Sequence, residues 1–270
     1  MQDLTGISID RARALAATRA AGDRTADVIA AIRDPEAQAQ GLGWTLGETA
    51  AHLVANARYH RAWLRGEGKI DYGVPGLAEL NRRAIDELEE RDPARLAEIM
   101  RQENEGYVGA AGDQPPGAMF AAEVGPALSV EVMTCVYLGE LLVHGFDLAR
   151  TLGRPWPIGR VEANLVAAGA LAILPQFVEP TAARGGTVSY ELRLRGGPQV
   201  VMRFRDGTLA FEPGVPGVRV DCRISADPAA FLLVAYGRMG QWGPIVRGQL
   251  LAWGRRPWAA LRLTSYMRNP

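Results

Sequence analysis

Tyr137–Arg150, YLGELLVHGFDLAR, reads as one buried helix that carries Glu140 and His144 one turn apart. Positions i and i+4 share a helix face, so this carboxylate and this imidazole point the same way and can grip one metal ion. Two ligands on one face are also what a hydrogen-bonded Glu–His pair in a core looks like, so a third ligand from elsewhere decides between the readings. The chain has only three histidines, and one of the other two, His52, sits in WTLGETAAHLV, Trp44–Val54, an equally apolar helical pattern.

Length and composition set the frame for that site. At 270 residues with 48% apolar content, the chain can build one large or two ordinary cores. Thirty basic residues balance thirty acidic ones, so no global field draws the protein to nucleic acid or to an anionic membrane surface, and neither partner is expected. Cys135 and Cys222 are too few and too far apart for a disulfide scaffold or a thiolate metal cage, which fits a reducing cytoplasm. MQDLTGISIDRARALAATRAAG has no long apolar run after its charges, which argues against a secretory leader, and no stretch reads as the ~20 apolar residues of a membrane span.

Helical periodicity runs from Ile9 to about Ile32 and ends at Arg33-Asp34-Pro35. Thr45 and Glu48 form a T-x-x-E capping box with Trp44 placed to start a hydrophobic staple, so a second helix is expected from Leu46 to Leu64. After Gly66-Glu67-Gly68 comes a polar link containing Gly73 and Pro75. The charged amphipathic run LAELNRRAIDELEERD follows, and then Asp92-Pro93 caps a helix expected to reach Tyr107. AAGDQPPGAMF breaks the pattern, and helix resumes near Leu128 and stops at Gly153 and Pro155. Four principal helices on short links make an antiparallel bundle over residues 1–156, an architecture that places metal sites between inward-facing side chains.

The character of the chain changes over 157–270. One more helix, Val161 to Phe177, leads to Thr187–Leu194, which alternates with period two like a half-buried strand. Gly196-Gly197 and Asp206-Gly207 are turn signals flanking Gln199–Phe204, which predicts a meander of hairpins. Val218–Ile224 reads as a strand, Asp227-Pro228 opens a helix, GQLLAWG reads as a last strand, and Pro257 starts a C-terminal helix. The fold class expected is α+β: a helical bundle followed by a small α+β domain.

A site of His52, Glu140 and His144 would leave a divalent ion a net positive charge and an open position, the catalytic type of zinc site. Zinc is the first choice, although nickel and other first-row ions tolerate the same donors. Asp147, three residues past His144, is placed either to orient that imidazole or to form a surface or interhelix salt bridge. His60 lies roughly 80° around the helix from His52 and is left out. Cys135 has no basic neighbour or helix N-terminus to lower its pKa, and reads as packing. There is no GxSxG, Walker loop or GxGxxG, so hydrolase, NTPase and dehydrogenase readings lack their chemistry.

WTLGETAAHLV resembles the W-T-x-x-x-[LVT]-x-x-H motif of the mycothiol-dependent maleylpyruvate isomerase family, and GELLVHGFDLARTLGRPW resembles its E-x-x-V-H-x-x-D-L-A-x-x-x-G motif. The resemblance implies a DinB-like metal-binding four-helix bundle joined to a sterol-carrier-like α+β domain, with DPAAFLLVAYGR and GQLLAWGRRPWAAL fitting the latter. It puts His52, Glu140 and His144 in the ligand positions and implies a mycothiol-type thiol cosubstrate with a small electrophilic substrate. In the mechanism it implies, a metal-activated thiolate adds to the cis double bond of a dienoate, allows rotation and leaves. Because guanidinium binds carboxylate in bidentate fashion, a C-terminal arginine is expected at the substrate: Arg238 is the best match, with Arg255 and Arg247 behind it. Gly139 stands where a bulkier or polar residue is usual, which bears on pocket shape. The competing expectation is a non-enzymatic carrier that holds an apolar ligand in the C-terminal domain.

Overall fold

The computed structural model describes residues 7–67, 73–122, 125–215 and 217–268. The first six residues of the stretch read for a leader, and residues 68–72 of the link, lie outside this set. The chain divides into two compact units, Ile9–Ile158, and the residues from Gly159 onward together with Ile7 and Ser8.

In the first unit, α1 (Arg11–Ala30) starts at Asp10, whose carboxylate accepts from the Arg13 amide at 3.0 Å. It is two residues shorter at each end than its periodicity predicts. The α2 helix (Leu46–Trp63) has the expected capping box: Thr45 Oγ1 accepts from the Glu48 amide at 3.1 Å, and Glu48 Oε2 accepts from the Thr45 amide at 2.9 Å. The α3 helix (Gly73–Glu87) begins inside the expected link, so Gly73 and Pro75 belong to a helix and not to a loop. Proline is tolerated there because the first-turn amides have no intrahelical acceptor to lose. The α4 helix (Pro93–Gly112) has the Asp92 cap and runs five residues past the expected end at Tyr107. Burial of Val108 and Ala111 outweighs the weak helix propensity of Gly109 and Gly112. A two-residue hairpin, β1 (Met119–Phe120) with β2 (Leu128–Ser129), precedes α5 (Val130–Thr151), which Ser129 caps.

Both α1 and α2 pack against α4 and α5, while α3 lies against α2. Tyr137 of α5 donates to Asn104 Oδ1 of α4 at 3.2 Å, and Asn104 Nδ2 reaches the Thr18 carbonyl of α1 at 3.4 Å. These buried polar contacts tie three helices in one register, since a slip of any one would strand a desolvated group. By length and composition α5 is able to cross a bilayer, which corrects the expectation that no such stretch exists; 72% of that window is buried inside the protein, as in a core helix.

The second unit opens with α6 (Arg160–Ile173), which tightens into a 3-10 turn, Leu174–Phe177, where Pro175 lacks the amide to continue an α-helix. Next come β3 (Thr187–Leu194), β4 (Gln199–Arg205) and β5 (Thr208–Pro213). Asp206 and Gly207, at φ 45° and 75°, supply the two positive φ angles of a tight hairpin turn. The remaining elements are β6 (Cys222–Ala226), α7 (Pro228–Ala235), α8 (Trp242–Val246) and β7 (Leu250–Trp253). The sheet order is β5-β4-β3-β6-β7, antiparallel throughout except for the parallel β3–β6 pair. Its core face carries Tyr190, Leu192, Val200, Met202, Phe204 and Ile224. Two expectations shift here. The sixth strand begins at Cys222 instead of Val218, because pairing starts opposite Tyr190. The helix expected from Pro257 is a pair of 3-10 turns, Pro257–Arg262 and Thr264–Tyr266.

Candidate metal centre

His52 comes from the second turn of α2, and Glu140 and His144 from adjacent turns of α5. The structure brings the three together: His52 Nε2 is 3.3 Å and His144 Nε2 3.6 Å from the same oxygen, Glu140 Oε2. One ligand atom from each of the three lies within 4.8 Å of the other two. Tetrahedral zinc ligands at ~2.0–2.1 Å from the ion stand about 3.3–3.4 Å apart, equal to the His52–Glu140 separation and a few tenths of an ångström below the His144–Glu140 one. Two imidazoles and one carboxylate are also a catalytic zinc donor set, so the residues fit such an ion.

Burial of His52, at 2% exposure, lowers its pKa and overrides the hydrogen bond to Glu140, which favours the neutral imidazole that ligation requires. Because a carboxylate only accepts, Nε2 carries the proton in that hydrogen bond; ligation through the same atom would move the proton to Nδ1. For Glu140, burial pushes the pKa up, but the His52 hydrogen bond and the facing imidazoles of His144, His52 and His60 outweigh it and hold the value down at about 2. The carboxylate is ionised across the physiological range, with 28% of its side chain still exposed.

Asp147 stands against His144 and, within the same helix, Arg150. Its fully buried carboxylate is 3.2 Å from His144 Nδ1 and 3.8 Å from Arg150 Nη2. The first approach lies off the hydrogen-bond line, so Nδ1 has no hydrogen-bond partner and a small ring rotation would complete the pair. The Trp44 ring sits 4.8 Å from that of His52 and 5.9 Å from that of His144, so this residue walls the imidazoles as well as preceding the cap. Glu48 stays with its cap and with Arg82 Nη1 at 2.7 Å.

His60, set aside on the helical wheel, is buried, donates through Nδ1 to the Asn56 carbonyl at 2.9 Å and stacks on Tyr137 at 4.8 Å. Besides Tyr59 beside it, its aromatic partners Tyr107 and Tyr137 come from α4 and α5, contacts that no local signal in the sequence marks. Cys135 is buried and its thiol is pushed up to about 12 by desolvation, the behaviour of a packing residue. Arg238 follows α7 in the second unit, half-buried, with Nη1 donating to the Tyr236 carbonyl at 2.8 Å. Arg255 pairs with Asp221, and Arg247 Nε donates to Gln249 Oε1 at 2.9 Å.

Residues 18–149 match the family model of the mycothiol maleylpyruvate isomerase N-terminal domain. Among solved structures, the fold is similar to that of the mycothiol-dependent maleylpyruvate isomerase, with a TM-score of 0.57 and 16% identity over 86% of this chain and 90% of that one. It is similar also to the H52A mutant of that enzyme, in that protein's own numbering, with a TM-score of 0.56 and 15% identity over 90% of this chain and 93% of that one. At such identities the likeness shows the fold, a helical domain followed by a sheet domain. Sterol carrier protein 2 from Yarrowia lipolytica aligns with 28% of this chain and 64% of its own length at 15% identity and a TM-score of 0.21, too low to carry an argument. No curated protein matches the sequence.

Proposed function

Residues 18–149 belong to the family of mycothiol maleylpyruvate isomerase N-terminal domains, and from that premise we propose that the chain is a divalent-metal-dependent enzyme using mycothiol or a similar low-molecular-weight thiol. It acts as a cis–trans isomerase or S-transferase on a small electrophile. In this reading residues 1–156 are the metal-binding bundle and 157–270 the partner domain. The observation that carries the proposal is the approach of His52 Nε2 and His144 Nε2 to one oxygen of Glu140.

His52, Glu140 and His144 hold the ion, zinc in the first instance, which when bound lowers the pKa of a thiol beside it. The thiol supplies the nucleophile, a part the buried and protonated Cys135 does not play. The chain's own residues prepare the site. Burial favours neutral His52, the imidazoles keep Glu140 ionised, Asp147 steers the His144 ring, and Trp44 shields both imidazoles from bulk water. Arg238 is the candidate for binding a substrate carboxylate, because its guanidinium offers bidentate donors from a half-buried position.

The test is turnover of a cis-dienoate such as maleylpyruvate, and conjugation of a small electrophile, with mycothiol present or omitted and with metal present or chelated. Dependence on both components is expected. Turnover unaffected by removal of either one would overturn the proposal.

A further inference from the structure

The seam between α2 and α5 continues past the metal centre. His52 meets Glu140 at 3.3 Å, and two turns further along α2 the His60 ring stacks on Tyr137 of α5 at 4.8 Å. Numbering rises on α2 while it falls on α5, so the two helices run antiparallel along one seam. Asn56 lies four residues from each histidine, and steps of four drift by only about 40° around a helix. Because the imidazoles on either side of it both reach α5, Asn56 faces α5 as well. Asn56, and Val136, Glu140 and His144 at four-residue steps on α5, are each half-buried, so the seam is open to a ligand along this stretch.

One acceptor in this stretch is unsatisfied. Asn56 Oδ1 is buried and takes no hydrogen bond from the described residues. The backbone carbonyl of the same residue is engaged, since His60 Nδ1 donates to it at 2.9 Å, so the side-chain oxygen alone lacks a donor. A buried acceptor left unpaired is destabilising, and a neutral amide cannot relieve it by changing its charge. Such an atom beside a ligand site is explained by a donor that the ligand brings. Helix rise puts Asn56 about 6 Å along α2 from His52. Two carbons separate the sulfur of a cysteinyl thiol from its amide nitrogen, and the Asn56 side chain spans the remainder.

We propose that Asn56 Oδ1 accepts the acylamino N–H of a cysteine-derived thiol whose sulfur sits at the metal centre, which makes Asn56 a thiol-selecting residue. The proposal rests on the metal- and thiol-dependent reading above and names the part of the thiol that α2 recognises. A thiol without that N–H leaves the buried oxygen unpaired, and a site built to hydrogen-bond a group discriminates against the analogue that lacks it.

Titration of the full-length protein, loaded with cobalt(II) in place of zinc, with N-acetylcysteine and with 3-mercaptopropionate tests it. The two thiols share the sulfur and the carboxylate and differ in the acetamido group. Thiolate on cobalt is read from its charge-transfer absorbance, without turnover. The parent should prefer N-acetylcysteine by roughly tenfold or more. Asn56→Leu, close in size but without the acceptor, and Asn56→Ala should each reduce that preference by at least about fivefold. Asn56→Asp, which keeps an acceptor oxygen, should retain it. A purely structural role would weaken both thiols equally and leave the preference unchanged, and thermal unfolding near that of the parent identifies the folded variants. Equal affinity of the parent for the two thiols, or a preference that survives in a folded Asn56→Leu or Asn56→Ala protein, would overturn the proposal, assign Oδ1 to an ordered water and leave the metal reading standing. Protein that takes up no cobalt, or bound cobalt that gives no thiolate band with either thiol, would overturn the metal reading and this proposal with it.

Discussion

Replacing Gly145 by alanine should destabilise the helical unit even though alanine is the better helix former. A Cβ at Gly145 would stand 2.2 Å from Trp156 Cζ2 and 2.5 Å from Cη2, where ordinary contact begins at 3.4 Å, so the indole has to retreat by about 1.2 Å. That ring is held by a 2.9 Å hydrogen bond from Nε1 to the Leu142 carbonyl and lies under the Arg24 guanidinium at 5.1 Å. Overpacking costs about 1–3 kcal/mol and loss of the hydrogen bond a further ~0.5–1.5, against a propensity gain of about 1. The net effect is a loss of about 0.5–3.5 kcal/mol, or several degrees of Tm at roughly 2–4 °C per kcal/mol for a unit of this size. Gly109 supplies the control: it is an exposed glycine in α4 with nothing within 4 Å of its would-be Cβ, so Gly109→Ala should stabilise by up to about 1 kcal/mol. Urea titrations followed by circular dichroism measure both. A Gly145→Ala protein as stable as the parent, or a shift of the same sign in both variants, would refute the packing argument.

Thr45→Ala removes one arm of the capping box and should cost about 0.5–2 kcal/mol in the same titration, with no change in the second unit. Asp147→Asn keeps the shape but not the charge facing His144 Nδ1, so metal affinity should fall roughly 10–100-fold in competition with a chromophoric chelator; unchanged affinity would assign Asp147 to Arg150 alone. In the sheet domain, burial works to raise the Asp221 pKa, but pairing with Arg255 and hydrogen bonds from Ser189 bring it below its ordinary value. A depressed folded-state pKa gives stability that is present above about pH 3.9, the unfolded value, and lost as pH falls through the folded one. Asp221→Asn should therefore flatten the acid limb of a stability–pH curve, and an unchanged acid limb would place the loss elsewhere.

Elements whose signals are local were legible in the sequence. The Thr45–Glu48 box, the Asp92-Pro93 cap and the period-two run at Thr187–Leu194 all stand where the chain places them. The three metal-site candidates were legible because histidine is scarce and because i, i+4 spacing on α5 fixes two of them in advance. Tertiary contacts were not. The last turn of α4 is held by burial against propensity, and β6 starts where its parallel partner begins, after a crossover that no local pattern announces. The apolar run of α5 does not read as bilayer-length in the sequence because Glu140, His144 and Asp147 interrupt it, while Leu138, Leu141, Leu142 and Leu148 are buried around them. Trp44 reaches His144 and His60 stacks on Tyr137, both of α5, and a helical wheel drawn on α2 alone cannot supply those contacts.

The central claim is that His52, Glu140 and His144 hold one divalent ion. Elemental analysis of protein purified without added metal, run in parallel on His52→Ala, Glu140→Gln and His144→Ala, tests it most directly. About one equivalent of a first-row divalent ion per parent chain is expected, with at least a tenfold drop in each folded variant. Parent protein that takes up no zinc, nickel or manganese even when supplied, or variants that keep a full complement, would contradict it.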